Sequence, residues 1–267
     1  MRSPRLSLER ERSSVSSAVV DRVRAAPPRG GGILARAMAP ALVFAMFLAV
    51  AGAWQPAAPG VETLTVDEGG ASVSLIRFDL QRFRPEVVML GPGRTKTAAA
   101  LRRDLSAVAA INGGFFDEDR RSLGLRIVGG KTAVRLRRGV DWGVLVVRAG
   151  RTTIVHSRDF KPDARIEGAI QVGPRLVEAG RPLRLKPQAA RRSAVALDED
   201  GHTLTLVVSP GPIEAGRLAE LLVRLGFHSA LLLDGGASTQ VSVAAGRFTL
   251  DVPGAYGVPD ALVVRSR

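Results

Sequence analysis

The chain of 267 residues contains no cysteine and only three histidines, two tryptophans and one tyrosine. Because cysteine is absent, a disulfide framework, a thiolate metal site and a cysteine nucleophile are all excluded. His156, His202 and His228 lie far apart, and none occurs in an HExxH arrangement. This spacing argues against a zinc enzyme, and we interpret all three histidines as structural or surface residues.

The second feature is an excess of positive charge, formally +13, which is carried almost wholly by arginine. A basic surface attracts anionic partners such as nucleic acid, anionic lipid or acidic glycan. The arginines are scattered, however, and no run of basic residues is interleaved with aromatic residues. We therefore predict a solvated basic surface and no nucleic-acid partner.

The N-terminal part differs in composition from the rest. Residues 1–36 are rich in arginine and serine and are predicted to be disordered. Residues 37–53 form an uncharged apolar block ending in Ala-Gly-Ala, which is typical of the h-region and cleavage site of a signal peptide. The alternative is an uncleaved anchor that attaches the protein to a membrane. Either interpretation predicts export, to the periplasm or the cell exterior, and residues 54–60 are predicted to be a linker.

Residues 61–267 are predicted to fold as one domain. Apolar residues alternate on either side of glycine-containing turns, as in 61–66 and 72–80, and predict about a dozen strands that lie mostly in hairpins. Two amphipathic helices are predicted, one from Thr97 to about Ser106 and one at 213–225. The predicted fold class is α+β, a single hairpin-rich mixed-sheet domain with few helices.

The clearest candidate for a functional loop is the segment LLLDGGASTQ at residues 231–240. Its apolar start predicts a short buried strand, although a helix would also fit so short a run. Asp234 follows, and Gly235 and Gly236 allow a sharp turn and the close approach of a ligand. The backbone N–H groups and hydroxyls of Ser238 and Thr239 suit an oxyanion or a phosphate. The alternative is a tight turn in which Asp234 is an ordinary turn residue.

A second segment, AINGGFFD, repeats this design. An apolar run leads into Asn112, Gly113, Gly114, Phe115, Phe116 and Asp117. Two strands that each end in a polar residue and two glycines predict two loops that meet at one edge of a sheet, where ligands commonly bind.

Five segments, taken together, carry a family resemblance. They are AINGGFFD, LGLRIVGG, AIQVGPRLVEAG, RRSAVALDEDG and LLLDGGASTQ. In their order and spacing they resemble the phosphodiester glycosidase domain, the family of the mannose-6-phosphate uncovering enzyme and of many bacterial envelope proteins, over about residues 61–265. The motif positions of that family fall here on Asn112, Gly113, Gly114, Phe115, Phe116, Gln171, Gly173, Arg192, Asp234, Gly235, Gly236 and Ser238. Ala237 and Ala196 stand where the family commonly has glycine, and neither departure removes a functional group.

The resemblance implies hydrolysis of a sugar-1-phosphodiester, with release of the free sugar, in envelope or extracellular glycans such as exopolysaccharide. Arg192 can bind the phosphate oxygens as a planar fork, and Arg191, on the opposite side of a strand, ranks second. The backbone N–H groups after Gly113 and Gly235 can share the phosphate charge. We expect Asp234 to stabilise the oxocarbenium-like carbon, as nucleophile or by activating water, with Asp117 as its partner or general acid.

The remaining motif residues are expected to bind the substrate. Asn112 and Gln171 are expected to bond sugar hydroxyls or phosphate, and Phe115 or Phe116 to stack on a sugar, although at least one of the two should belong to the core. The predicted catalytic residues are Asp234, Asp117, Arg192 and Asn112. The predicted substrate-binding residues are Gly113, Gly114, Phe115, Phe116, Gln171, Gly173, Gly235, Gly236, Ser238 and Thr239.

Two other functions fit the same residues. One is a non-catalytic glycan-binding module in exopolysaccharide assembly, which needs no pair of carboxylates. The other is a metal-dependent phosphoesterase in which Asp117 and Asp234 hold Mg²⁺ or Ca²⁺ on oxygen ligands. The sequence names no cofactor, and it leaves the metal requirement and the oligomeric state open.

Overall fold

The computed structural model describes residues 52–267. The predicted disordered region, 1–36, and almost all of the predicted signal or anchor segment, 37–53, lie outside the described residues. Within 52–267, no helix has the length and the apolar character that crossing a membrane requires.

The described residues form eighteen strands and two α-helices. In chain order they are β1 (Gln55–Ala58), β2 (Val61–Glu68), β3 (Ala71–Asp79), β4 (Phe83–Met89), α1 (Ala98–Asp104), β5 (Ala109–Asn112), β6 (Arg126–Val128), β7 (Lys131–Val134), β8 (Gly143–Arg148), β9 (Arg151–His156), β10 (Gly168–Val172), β11 (Arg175–Glu178), β12 (Arg181–Pro182), β13 (Ala189–Leu197), β14 (Thr203–Glu214), α2 (Ala215–Arg224), β15 (Ser229–Leu232), β16 (Val241–Ala245), β17 (Phe248–Val252) and β18 (Asp260–Ser266). A short 3₁₀ turn occupies Gly236–Ser238.

The strands form three sheets. The first sheet has the order β1-β2-β3-β14-β13-β15-β11-β12, the second β7-β6-β10-β8-β9, and the third β17-β16-β5-β18-β4. The sheet-rich domain with few helices is confirmed. The predicted mixed sheet is wrong, because every pair between these strands is antiparallel. Tight hairpins force neighbouring strands to run in opposite directions, whereas parallel neighbours need long crossover connections, usually helices.

The main hydrophobic core lies between the three sheets. It contains Val195 and Leu231 from the first sheet, Leu145 from the second, and Ile111 and Leu262 from the third, all fully buried. Such positions are closely packed, so truncating one of these leucines to alanine would destabilise the fold by about 2–5 kcal/mol. This core holds the ends of β5 and β15 in fixed positions relative to each other.

The two helices cover the outer faces of the sheets. Helix α1 begins where the sequence predicts, because the Thr97 side chain accepts a hydrogen bond from the Ala100 N–H at 3.2 Å. Helix α2 begins two residues later than predicted, since Ile213 still pairs with Ala190 in the β13–β14 ladder. Leu218 and Leu222 of α2 are buried in a second core on the first sheet.

Part of the predicted linker at 54–60 belongs to the folded domain. Residues Gln55–Ala58 form β1, which pairs with β2 at the edge of the first sheet. The guanidinium carbon of Arg77 lies 4.2 Å from the centre of the Trp54 ring, which anchors the residue before the strand. The proline- and alanine-rich composition suggested a linker, but the main-chain pairing of an edge strand is compatible with this composition.

Candidate active site

The two glycine loops meet, as predicted, but they come from two different sheets. Asn112 ends β5 of the third sheet, and Asp234 follows β15 of the first. The Asp234 N–H donates to the Gly113 carbonyl at 3.0 Å, and the Asn112 side-chain amide donates to the Asp234 carbonyl at 2.7 Å. The expected single sheet edge is therefore wrong, because the shared core rather than a strand ladder brings the two strand ends together.

Asn112 holds this junction. Its side chain is fully buried, and its Oδ1 accepts a hydrogen bond from the Gln240 N–H at 3.2 Å. Together with its bond to Asp234, this contact ties both sides of the second loop to the end of β5. The geometry gives Asn112 a positioning role and occupies the groups that were expected to reach the substrate.

Asp234 is a half-buried carboxyl group at the junction. Burial raises its pKa above the usual value, and the nearby charge of Asp260 acts in the same direction. Hydrogen bonds from Ser238 and from the Gly235 N–H, the latter at 3.0 Å to Oδ1, lower the pKa, and so does the charge of Arg126. The net effect is a raised pKa, in which the loss of hydration outweighs these hydrogen bonds.

A buried ion pair, which the sequence analysis did not find, supports the first loop. Arg126 Nε lies 3.0 Å from Asp260 Oδ2, and both side chains are completely buried. The Gly114 N–H donates to Asp260 Oδ1 at 2.9 Å, and the Ser122 hydroxyl donates to Oδ2. The signal in the sequence is an arginine within the apolar strand LRIV and an aspartate directly before the apolar run ALVV. Charged residues at such positions are rarely buried unless they are paired.

The ion pair explains why the first loop carries two glycines. A Cβ on Gly113 would lie 1.9 Å from Asp260 Oδ1, and a Cβ on Gly114 would lie 2.4 Å from Arg126 Nη2. Neither glycine has a positive φ, so space rather than backbone conformation requires them. The N–H after Gly113, that of Gly114, donates to the Asp260 carboxylate. It is therefore not free to share a phosphate charge, contrary to the prediction.

Arg192 lies beside the second loop. Its Nη1 is 3.8 Å from the place where a Cβ on Gly235 would stand. Its Nε donates to the Ile213 carbonyl at 3.3 Å and its Nη2 to the Gln188 carbonyl. No carboxylate within residues 52–267 forms an ion pair with it, and partial burial lowers the pKa of its guanidinium. Arg191 instead holds the carbonyls of Thr239 and Pro253, at 3.2 and 2.7 Å.

The remaining residues of the second loop surround Asp234. Ser238 is buried, and its hydroxyl lies 3.4 Å from the Tyr256 hydroxyl. Gly236 has a φ of +60°, which favours glycine, and its N–H has no acceptor within the described chain. The Thr239 hydroxyl is buried and likewise has no hydrogen-bond partner among the described residues. Within the described chain, the loop therefore has two N–H groups without an acceptor, those of Gly236 and Ala237, and one unpaired buried hydroxyl.

Aromatic side chains flank the two loops. Phe116 packs edge-on against Tyr256 with ring centres 6.2 Å apart, and the Arg120 guanidinium lies 4.7 Å from the Tyr256 ring. Tyr256 is 38 % exposed and was not found from the sequence. Phe115 packs against Trp142 at 4.9 Å and against the main core. Phe115 is thus partly buried and packs against the core without belonging to its buried residues.

Gln171 and Gly173 stand apart from the loop junction. The Gln171 side chain is fully buried, and it makes two hydrogen bonds to the backbone of Arg137, one to the Leu125 N–H and one to the Ser157 hydroxyl, all between 2.8 and 2.9 Å. These four bonds leave little capacity for a substrate. Gly173 precedes Pro174 through a cis peptide bond and packs against Trp142.

Asp117 makes its contacts within its own turn. Its Oδ1 accepts a hydrogen bond from the Arg121 N–H at 2.8 Å. The carboxylate whose charge acts on Asp234 is Asp260. No three His, Asp or Glu side chains between residues 52 and 267 form a group that could hold a metal ion.

Comparison with known proteins assigns more than half of the chain to a family. The model of the phosphodiester glycosidase family matches residues 106–265. The uncharacterized protein YigE of Escherichia coli is 30 % identical over 142 residues, which are 48 % of this chain and 56 % of YigE. The chain thus spans about half the length of this curated relative.

Solved structures share the fold. The catalytic domain of zebrafish N-acetylglucosamine-1-phosphodiester alpha-N-acetylglucosaminidase, auto-inhibited by its pro-peptide, aligns with a TM-score of 0.61 and 19 % identity over 78 % of this chain and 82 % of that chain. A hypothetical protein from Synechocystis aligns with a TM-score of 0.54 and 20 % identity, over 78 % of this chain and 62 % of that chain. A putative exported protein from Burkholderia pseudomallei aligns with a TM-score of 0.57 and 14 % identity, over 73 % of this chain and 74 % of that chain.

The family model covers more than half of the chain. The matched residues include both glycine loops, Arg192 and the Arg126–Asp260 pair. The chain therefore belongs to the phosphodiester glycosidase family.

Proposed function

We propose that the chain is an exported hydrolase that cleaves the glycosidic bond of a sugar-1-phosphodiester in envelope or extracellular glycans. Family membership supports a hydrolase that acts on sugar phosphodiesters. The zebrafish domain with a similar fold is named for this reaction on N-acetylglucosamine-1-phosphodiesters, and the B. pseudomallei protein is described as exported. These descriptions of other proteins guide the choice of substrate and compartment.

The observation that carries this proposal is the position of Arg192 beside the loop that bears Asp234. The guanidinium is partly desolvated, it has no acidic partner within residues 52–267, and its Nη1 faces Gly235. A desolvated cation without a counter-ion gains more from binding an anion than a hydrated one does. Its Nη1 and the second N–H of its Nη2 have no acceptor within residues 52–267 and suit two phosphate oxygens, and the free Gly236 N–H of the adjacent loop adds a third donor.

The proposed reaction breaks the bond between the sugar C1 and the bridging oxygen. The electron pair stays on that oxygen, so the leaving phosphate monoester gains one negative charge, which Arg192 stabilises. The positive charge that develops on C1 is stabilised by the Asp234 carboxylate, either directly or by a covalent bond. Water then supplies the hydroxyl of the free sugar, and its proton passes to a carboxylate or to solvent.

The second carboxyl group has two candidates with different roles. Asp260 is held by Arg126, Ser122 and the Gly114 N–H, so it positions the first loop and adds negative potential near Asp234. Asp117 stays the predicted general acid, since its carboxyl is half-buried and lies on the same loop as Phe116. A general acid is less necessary here than in an ordinary glycosidase, because a phosphate monoester is a good leaving group.

A non-catalytic glycan-binding module is the second candidate function. It is supported by the half-exposed aromatic edge of Phe116 and Tyr256, because aromatic rings offer an apolar contact surface beside polar groups. This function would need neither the ionised form of Asp234 nor the unpaired charge of Arg192.

The test is to incubate the full chain with UDP-N-acetylglucosamine and with a methyl phosphodiester of N-acetylglucosamine-1-phosphate, and to separate free sugar from sugar phosphate. Free sugar is expected from the wild type. Asp234→Asn is expected to reduce its release by at least about 100-fold, as for the loss of a main electrostatic contact in the transition state. The matched control is Asp251→Asn, on an exposed carboxylate of β17, which should keep full activity.

Two outcomes would contradict the proposal. Release of N-acetylglucosamine-1-phosphate would mean cleavage of the P–O bond and would favour the metal-dependent phosphoesterase, which chelators would then inhibit. Saturable glycan binding that survives Asp234→Asn, without turnover of either substrate, would favour the binding module.

A further inference from the structure

A cleft of about 440 Å³ opens beside β7, the edge strand of the second sheet. One wall is formed by residues 135–140, which follow β7, and the other by residues 157–162, which follow β9. Leu125, Ile127 and Leu136 line it with apolar surface. The cleft contains none of the residues of the loop junction, so it is a separate feature of the molecule.

Four arginines line this cleft, namely Arg135, Arg137, Arg138 and Arg158. Three come from one wall and the fourth from the other, so the fold gathers charges that are scattered in the sequence. None of the four forms an ion pair with an acid between residues 52 and 267. Four unpaired positive charges around one concave surface raise the local concentration of anions.

Arg158 is held in place at its base. Its backbone N–H donates to His156 Nδ1 at 2.9 Å, and its Nε approaches the same nitrogen at 3.4 Å. Because Nδ1 accepts these bonds, the proton is on Nε2, which donates to Asp141 at 2.9 Å. The two terminal nitrogens of Arg158 have no protein acceptor in the described chain, so they are available to an anion.

We propose that this cleft binds an acidic sugar unit of the glycan, one that carries a carboxylate or a phosphate. The choice of a glycan as the polymer rests on the proposed function, whereas the negative charge follows from the four arginines. Guanidinium forks bind carboxylate and phosphate oxygens in pairs, and the apolar lining suits the C–H face of a sugar ring. The volume fits a ligand of one or two sugar units.

The cleft is connected to the first glycine loop. The backbone N–H and carbonyl of Arg137 both bond the Gln171 side chain at 2.8 Å, and the Arg137 guanidinium lies 5.6 Å from the Trp142 ring. Trp142 packs against Phe115, which directly follows the two glycines. The contact between Trp142 and Phe115 therefore links Arg137 of the cleft to the loop that contacts Asp234.

The test measures binding by calorimetry with the full chain and a tetramer of galacturonic acid, a sugar with one carboxylate per unit. Maltotetraose, a neutral tetramer, serves as the ligand control. We expect saturable binding of the acidic tetramer alone, and binding that weakens as salt is added. The triple variant Arg135→Gln, Arg138→Gln, Arg158→Gln should bind about tenfold more weakly, because three exposed charge contacts are lost. Arg137 is kept because its guanidinium lies 5.6 Å from the Trp142 ring, and its substitution would also remove that contact.

A matched triple variant controls for net charge. Arg94→Gln, Arg103→Gln and Arg247→Gln also remove three exposed arginines, and none of the three lines the cleft. This variant should bind the acidic tetramer like the wild type. Equal weakening in both variants, no binding of the acidic tetramer, or tighter cleft-dependent binding of an oligonucleotide or of phosphatidylglycerol vesicles would overturn the proposal. Because the readout is binding, a failure to find sugar release would leave this result unaffected.

Discussion

Arg126 Nε lies 3.0 Å from Asp260 Oδ2 in a place that solvent does not reach. The pair joins β6 of the second sheet to β18 of the third. Arg126 also donates to the carbonyls of Leu125 and Gln171, each at 3.0 Å, and Asp260 accepts the Gly114 N–H. The turn that begins the first glycine loop is thus built directly on this ion pair.

Asp260→Asn is expected to destabilise the fold strongly. The substitution removes one charge of a buried pair and leaves Arg126 without its counter-ion, which lowers the free energy of unfolding by about 3–5 kcal/mol. Urea denaturation measures this loss. The double variant Asp260→Asn, Arg126→Met should recover part of it, because the unpaired charge is then gone.

Glu62→Gln is the matched control for a surface pair. Glu62 and Arg77 lie 2.6 Å apart with side chains 40 % and 33 % exposed, so we expect a loss of about 0–1 kcal/mol. Equal losses for Asp260→Asn and Glu62→Gln would show that the buried pair does not hold the loop.

Gly113→Ala should impair both folding and activity. The new Cβ would stand 1.9 Å from Asp260 Oδ1 and 3.0 Å from its carbonyl carbon, and both belong to a buried segment that cannot move away easily. We expect a loss of more than about 2 kcal/mol in the free energy of unfolding, by analogy with overpacked cores. Thermal unfolding and sugar release are the two measurements.

Gly216→Ala is the opposite case. Gly216 lies in α2, a Cβ there would meet no atom within 4 Å, and its φ is not positive. Alanine should therefore stabilise the protein by about 0.5–1 kcal/mol. If Gly113→Ala and Gly216→Ala changed the free energy of unfolding in the same direction, steric contact with Asp260 would not explain why position 113 needs glycine.

The sequence predicted features whose causes are local. The glycine turn at 69–70 predicted the β2–β3 hairpin, and Thr97 predicted the start of α1. The two polar-Gly-Gly segments predicted the two loops that meet. The features it missed depend on contacts between distant segments. The partner of Arg126, the bonds that occupy Gln171 and the placing of β5 and β15 in different sheets are all fixed by tertiary packing. No periodic pattern within one segment reports them.

Arg192→Gln should reduce activity while leaving the fold intact. The substitution removes a half-buried guanidinium that has no acidic partner within residues 52–267, so the folded state loses no ion pair. If Arg192 stabilises the leaving phosphate, kcat/KM should fall by about 100- to 1000-fold. Arg192→Lys should retain only part of the wild-type kcat/KM, because an ammonium group cannot bind two oxygens as a fork.

The control for this prediction is Arg247→Gln, which removes an exposed arginine from the turn between β16 and β17. It should retain wild-type activity and stability. A normal kcat/KM in Arg192→Gln would remove this residue from the reaction and weaken the proposed function with it.

The pH dependence of kcat/KM should follow the ionisation of Asp234. Burial raises the pKa of this carboxyl group above 3.8, and the proposed reaction needs its ionised form. The kcat/KM should therefore decrease as pH falls through the raised pKa, so the acid limb of the profile lies at a higher pH than for an exposed aspartate. Any residual activity of Asp234→Asn should lack this limb, and an unchanged limb would assign it to another group.

The same shift determines how Asp234 affects stability. The folded state binds the Asp234 proton more tightly than the unfolded state, so the favourable contribution of the protonated group is fully present below pH 3.8 and is lost as pH rises through the folded pKa. Asp234→Asn stays neutral at every pH, and its Oδ1 can still accept the Gly235 N–H. We therefore expect this variant to be at least as stable as the wild type in urea at neutral pH, with a difference that shrinks toward acid pH. The opposite result would be a stability difference between Asp234→Asn and the wild type that favours the wild type at neutral pH and shrinks at acid pH. It would contradict the burial of a charged carboxylate at position 234.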